Sequence, residues 1–163
     1  MINRTASLRL LKLAGTFRSV AIVGPRQSGK TTLCKAAFPQ KTYISLENPD
    51  TLEFAKTDPR GFLGQFKAGA ILDEIHRAPH LFSYLQQILD ETNKKGLFIL
   101  TGSNNFLLQE NITQTLSGRI AYLQLLPLSL QELTDNKKIK ANYPWHILNG
   151  GYPEVITKRI NPT

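Results

Sequence analysis

The chain has a single cysteine, Cys34. It can close no disulfide within itself, which excludes the stapled architecture of small secreted domains and points to a reducing compartment. Apolar runs stay short, and none approaches the ~20 residues that a membrane-spanning helix needs. Arg9 and Lys12 interrupt the stretch Leu8–Leu13, so no secretory leader core forms there. Acidic residues are missing from the first 46 positions, where Arg4, Arg9, Lys12, Arg18, Arg26, Lys30, Lys35 and Lys41 precede the first acid, Glu47. The rest of the chain carries twelve basic and twelve acidic groups, so the whole net charge of +8 comes from that first segment. A basic amino-terminal segment suggests an anionic partner, either nucleotide phosphate or nucleic acid. Internal repeats and low-complexity tracts are also absent. With 163 residues, 41% hydrophobic and 20% charged, the chain suits one globular domain with a core of its own.

What is present alternates short apolar runs with helical patterns. Residues 4–14 read as an amphipathic helix. Ser19–Gly24 is β-branched, apolar and ends at glycine, which predicts a buried strand. A helix is expected over Lys30–Phe38, stopped before Pro39, and a second strand over Thr42–Leu46. Asn48 and Pro49 mark the start of a helix running to Lys56. A third strand is expected over 68–75, a helix over Pro79–Thr92 with Leu81, Leu85, Ile88 and Leu89 at helical spacing, and a fourth strand over Leu97–Thr101. A helix over Phe106–Leu116, a fifth strand over Ile120–Leu126 and a short helix over Ser129–Leu133 follow, the last opened by a capping box of Ser129 and Glu132. Residues 134–145 read as a surface loop and Asn149–Pro153 as a turn cluster. Strands alternating with helices predict an α/β fold: a mostly parallel five-stranded sheet with helices on both faces. Ligands of such sheets bind at the carboxyl ends of the strands.

Three motifs fall at those ends. Gly24, Pro25, Arg26, Gln27, Ser28, Gly29, Lys30 and Thr31 match G-x-x-x-x-G-K-[ST] at every fixed position. Gly24 and Gly29 allow the backbone to wrap closely and turn its N–H groups inward as an anion nest. Lys30 would reach the β- and γ-phosphates, Thr31 would offer a hydroxyl to Mg²⁺, and Thr32 completes the nucleotide-binding set at the start of a helix whose positive end faces the ligand. Chance would produce these fixed positions in well under ~1% of chains of this length. The second motif is Asp73-Glu74 at the end of the third strand. Asp73 would hold Mg²⁺ and Glu74 would polarise an attacking water. Successive strand residues face opposite ways, so Glu74 can reach the γ-phosphate only from the strand's frayed end. The third is the polar end of the fourth strand, where Ser103 or Asn104 could touch the γ-phosphate or orient water, or else cap a helix. Arg119 is a candidate arginine finger, in cis or on a neighbouring subunit's nucleotide, and equally a surface arginine paired with an acid. Arg26 is a candidate contact to phosphate or to a partner.

Taken together these residues resemble a group of bacterial and archaeal ATPases of the AAA superfamily that carry a C-terminal domain of unknown function. The likeness rests on Gly24–Thr31 (GPRQSGKT), Tyr43–Leu46 (YISL), Leu72–Ile75 (LDEI), Leu100–Ser103 (LTGS), Ser117–Arg119 (SGR), Pro127–Glu132 (PLSLQE) and Gly150–Glu154 (GGYPE), in the group's order and across nearly the whole chain. It implies a three-layer P-loop NTPase sandwich in which the fourth strand lies between the first and third, bringing Asn104 and Glu74 close to one γ-phosphate. It also implies an ATPase core over residues 1–133, then a linker and the start of a truncated C-terminal region over 134–163. The winged-helix-like domain that would follow is lacking in a chain ending at Thr163. Members of the group often have Gln after Asp-Glu-Ile; His76 stands there, and it is given no role.

The expectation is therefore a cytoplasmic, Mg²⁺-dependent ATPase acting through conformational change in a larger assembly. A homo-oligomer, a protein partner and DNA are its candidate partners, and no membrane is expected. ATP is favoured over GTP because a guanine-reading Asn-Lys-x-Asp is missing: Asn93-Lys94-Lys95-Gly96 lacks the acid. Two alternatives stay open. One is a nucleotide-gated binding module with little turnover, and the other is a P-loop kinase of a small molecule.

Overall fold

The computed structural model describes residues 2–103, 115–137 and 150–158. Residues 106–114 of the expected helix over 106–116, Asn104, and residues 138–145 of the expected loop lie outside them. Among the described residues the centre is a five-stranded sheet of order β2-β3-β4-β1-β5, every neighbouring pair parallel. Its strands are β1 (Ser19–Gly24), β2 (Thr42–Ser45), β3 (Ala70–Asp73), β4 (Phe98–Ser103) and β5 (Ile120–Gln124). As the resemblance implied, β4 lies between β1 and β3.

All six residues of β1 are buried, because helices cover both faces. Val20 and Ile22 point into one layer with Ile71, Ile99 and Leu123, against α1 (Ala6–Thr16) and α2 (Lys30–Ala37). Ala21 and Val23 point into the other with Leu72, Leu100 and Phe98, against α3 (Pro49–Thr57), α4 (Pro59–Gly64) and α5 (Leu81–Asp90). This two-sided burial is why the central strands are nearly continuous apolar runs rather than alternating ones.

The element starts follow local chemistry. The Asn48 side chain accepts from Thr51 N at 3.1 Å with Pro49 in the first turn, as expected. The same device recurs at α4, where Asp58 accepts from Gly61 N at 2.8 Å ahead of Pro59; the sequence reading did not place this helix. The capping box opens α6 (Leu130–Asp135): Ser129 and Glu132 bond each other's backbone N–H. The third strand is shorter than expected because residues in left-handed conformation flank it, Gly69 (φ 84°) before and Glu74 (φ 55°) after. A Cβ on Gly69 would sit 1.8 Å from the Leu97 carbonyl oxygen, so only glycine fits.

Residues 150–158, beyond the core boundary expected at 133, contain a helix, α7 (Pro153–Lys158), where the sequence suggested a turn cluster reaching Pro153. Its Ile156 packs with Leu128 and Leu133, and Leu128 N donates to Gly151 O at 2.6 Å. No described helix is long and apolar enough to cross a membrane.

Candidate functional site

The register of the sheet assembles the three motifs. Gly24 at the end of β1 lies opposite Ser103 at the end of β4, and Leu72 of β3 lies opposite Leu100. The phosphate loop, Asp73-Glu74 and Ser103 therefore share one edge.

The loop has the shape of an anion nest. Gln27 (φ 60°) and Gly29 (φ 91°) are left-handed, and Gly29 caps α2 without a side-chain hydrogen bond. The Ser28 hydroxyl is buried with no hydrogen-bond partner. Buried polar atoms are rarely left unpaired, so an orphan inside this loop fits a site made for a polar ligand. Lys30 is also buried, and its ammonium donates to the carbonyls of Gly24 (3.0 Å) and Pro25 (2.9 Å). Burial holds Lys30 below the ordinary lysine range, against the opposing pull of Glu74 and Asp73.

Asp73 is the hub. The Thr31 hydroxyl lies 3.1 and 3.2 Å from its two oxygens, Tyr43 donates to Oδ2 at 2.7 Å, and Thr101 donates to Oδ1. Burial and this bond to Asp73 push the Tyr43 phenol up to about 12, so Tyr43 remains a donor. Lys35 stands over its ring, 3.5 Å from the centroid. Nothing in the spacing of the sequence motifs points Tyr43 or Thr101 at Asp73.

The left-handed turn at Glu74 resolves the problem of strand alternation. The chain leaves strand geometry at that residue, and Glu74 N lies 3.3 Å from the Thr101 hydroxyl. Its carboxylate reaches across the end of β4, where Oε2 accepts from Ser103 N at 3.2 Å. His76 Nδ1 lies 3.0 Å from the same oxygen, at ion-pair distance but outside hydrogen-bond alignment.

Two adjoining hollows meet at the loop. A cleft of about 440 Å³ is lined by Arg26, Lys30, Thr31, Glu47 and Glu74. A cavity of about 340 Å³ lies beside it, walled by Ile2, Arg4, Ser7, Leu33 and Ala36. Gly29, Thr32, Pro153 and Glu154 border both. The second hollow went unseen in the sequence because its walls come from both ends of the chain.

Arg119 is a correction for the chain's own site. It precedes β5, whose first residue Ile120 lies opposite Ser19 at the start of β1. The loop follows the other end of β1, five residues or roughly 17 Å away. There Arg119 forms a two-point pair with Asp90, at 2.5 and 3.0 Å, the surface pairing that the sequence left open. Some of the amino-terminal basic groups have partners within the chain. Arg4 pairs with Glu132, Arg18 with Asp90, Lys30 with the loop carbonyls, and Lys41 with the Leu97 carbonyl.

Comparison with known proteins identifies the family and the fold. A family model described as "AAA domain" matches residues 16–134. Uncharacterized proteins of Mycobacterium bovis and Mycobacterium tuberculosis are each 31% identical over 163 residues, 98% of this chain and 35% of theirs. The chain thus spans about a third of the length of these curated relatives. Among solved structures, the Walker-type ATPase of Pyrococcus abyssi superposes with a TM-score of 0.64 at 16% identity, covering 96% of this chain and 65% of that one. A signal transduction ATPase with numerous domains and a tetratricopeptide repeat sensor, from Pyrococcus horikoshii, gives 0.58 at 18%, covering 96% and 29%. At these identities the likeness is one of fold.

Proposed function

The chain belongs to the AAA domain family, and from that premise we propose that it binds ATP with Mg²⁺ and hydrolyses the β–γ phosphoanhydride. The observation that carries this reading is the convergence of the phosphate loop and Glu74 on a single cleft, with Asp73 against the hydroxyl of Thr31, which lines it. The loop's N–H groups and Lys30 orient the phosphates, with Lys30 exchanging the carbonyls of Gly24 and Pro25 for phosphate oxygens. Thr31 and Asp73, hard oxygen donors about 3.1 Å apart, suit a cation that takes its other ligands from phosphate and water. The described residues contain no cluster of three or more His, Cys, Asp or Glu that would cage a metal alone. Bound there, Mg²⁺ would neutralise charge on the phosphate oxygens.

Glu74 takes a proton from the attacking water as the water oxygen bonds to the γ-phosphorus and the bond to ADP breaks. Ser103 N holds that carboxylate in place. The adenosine end occupies the adjoining cavity, whose size is within the ~300–1,000 Å³ range of ligand pockets. Because the relatives are about three times longer, hydrolysis is read as driving change in a larger protein. In an oligomer Arg119 would serve a neighbour's nucleotide only after leaving Asp90.

The test is calorimetric Mg²⁺-ATP binding together with phosphate release. Lys30→Ala is expected to abolish both, and Asp73→Asn to remove the Mg²⁺ dependence of release. Equal phosphate release by wild type and Lys30→Ala overturns the proposal. Binding with no release by the wild type favours the nucleotide-gated module.

A further inference from the structure

A second buried ionic centre lies behind the phosphate loop. Arg4 and Glu132 form an ion pair at 3.0 Å, their side chains 9% and 5% exposed. Both partners are engaged beyond the pair itself. Arg4 Nη1 donates to the carbonyl of Ser28 at 2.8 Å, and Nη2 to that of Leu126 at 2.6 Å. Glu132 Oε1 accepts from Thr5 N at 2.9 Å and from the Thr5 hydroxyl at 3.1 Å, while Oε2 accepts from Ser129 N at 3.0 Å. Three stretches distant in sequence, at residues 4–5, 28 and 126–132, therefore meet on two side chains.

A buried ion pair is weak evidence of net stabilisation, since desolvation offsets the attraction. What this pair does specifically is geometric. Ser28 is a loop residue whose hydroxyl is orphaned. Its carbonyl is held from outside by Arg4, and a planar guanidinium fixes direction as well as distance. The Arg4 head also walls the 340 Å³ cavity, and a Cβ on Gly29 would lie 3.6 Å from its Nη1.

We propose that Arg4 and Glu132 are positioning residues of the nucleotide site: the pair holds the phosphate loop in its binding shape and couples it to α6. For its ligand this rests on the ATP reading above. Because the same fork bonds the loop and Glu132, a ligand that steadies the loop also steadies α6, and the linkage runs both ways.

The experiment uses wild type, Arg4→Gln, Arg4→Lys and Glu132→Gln, with steady-state Mg²⁺-ATP hydrolysis and amide hydrogen exchange with and without Mg²⁺-ATP. The expected result is a KM raised about tenfold or more in Arg4→Gln and Glu132→Gln, the equivalent of a lost charged hydrogen bond. The value of kcat stays within about twofold, because ground state and transition state lose the same binding. Arg4→Lys recovers only part, keeping the charge without the fork. In the ligand-free protein, exchange at Ser28–Thr32 and at Leu130–Asp135 rises together. In the wild type ATP slows exchange in α6, and in Arg4→Gln it does not. A lower melting temperature with unchanged KM and unchanged loop exchange overturns the proposal and leaves the pair merely structural. If the wild type binds no ATP, the ATP reading falls, and ligand-free exchange at the loop still decides for or against the clamp.

Discussion

Glu74 is where conformational strain and proposed chemistry meet, and two substitutions there separate them. A non-glycine residue held left-handed costs roughly 1–2 kcal/mol, and Glu74 is at φ 55°, ψ 47°. Glycine would relieve that strain but would forfeit about 0.5–1 kcal/mol of backbone entropy on folding. The hydrogen bond from Ser103 N would also go, a further loss of about 0.5–1.5 kcal/mol. The three nearly cancel, so Glu74→Gly is expected to melt within about 4 °C of wild type. Glu74→Gln keeps the length of the side chain and an oxygen for Ser103 N, so its melting temperature should change less still. Both lose the general base, worth about 10²- to 10⁴-fold in turnover. Both should bind Mg²⁺-ATP at least as tightly as wild type, since a negative charge facing the phosphates has gone. Calorimetric melting, nucleotide titration and single-turnover phosphate release measure the three quantities. Wild-type turnover in either variant refutes the role of Glu74. Normal turnover loss with Glu74→Gly melting far below wild type refutes the strain argument alone.

Other outcomes follow from the same physical terms. Burial works against the charged form of Glu132, but the amides of Ser129 and Thr5 and the Arg4 guanidinium outweigh it and hold its carboxyl below the ordinary range. Its contribution is therefore present above about pH 4.3 and lost as pH falls through the lower folded value. Glu132→Gln should cost about 3–5 kcal/mol near neutrality. Its melting temperature should also fall less than that of wild type as pH drops below about 4.3; parallel curves would contradict this. Cys34 is fully buried, and burial pushes its thiol well above the reactive range. A thiol reagent should therefore label the native protein no faster than it unfolds, and rapid labelling would count against the packing of α2 on the sheet. Lys30, held low by burial, should lose its charge at a lower pH than an ordinary lysine (about 10.4). ATP affinity should therefore weaken on the alkaline side at a lower pH than an ordinary lysine would give, and stay flatter in Lys30→Arg.

Much was legible in the sequence because it was written locally. The glycines and lysine of the loop sit at fixed spacing, β1 is an uninterrupted apolar run, and the Asn48-Pro49 and Ser129–Glu132 caps act over three residues. Each is a short-range steric or hydrogen-bond requirement, so neighbouring residues suffice to state it. α4 carried the same cap signal, Asp58-Pro59, and shows that a local signal can be present and passed over. Arg119 could not be decided from residue type: the register of β5 on β1 puts it at the opposite end of the strands from the chain's own loop, beside Asp90. The sequence by itself determined the parallel α/β class, the phosphate loop and the acidic pair. Only the tertiary structure decided that Tyr43 and Thr101 converge on Asp73, that Glu74 turns out of its strand onto Ser103, and that Arg4 meets Glu132 across 128 positions. Those contacts exist because the strand order interleaves distant segments, and side chains that meet only through such pairing leave no spacing in the sequence to read.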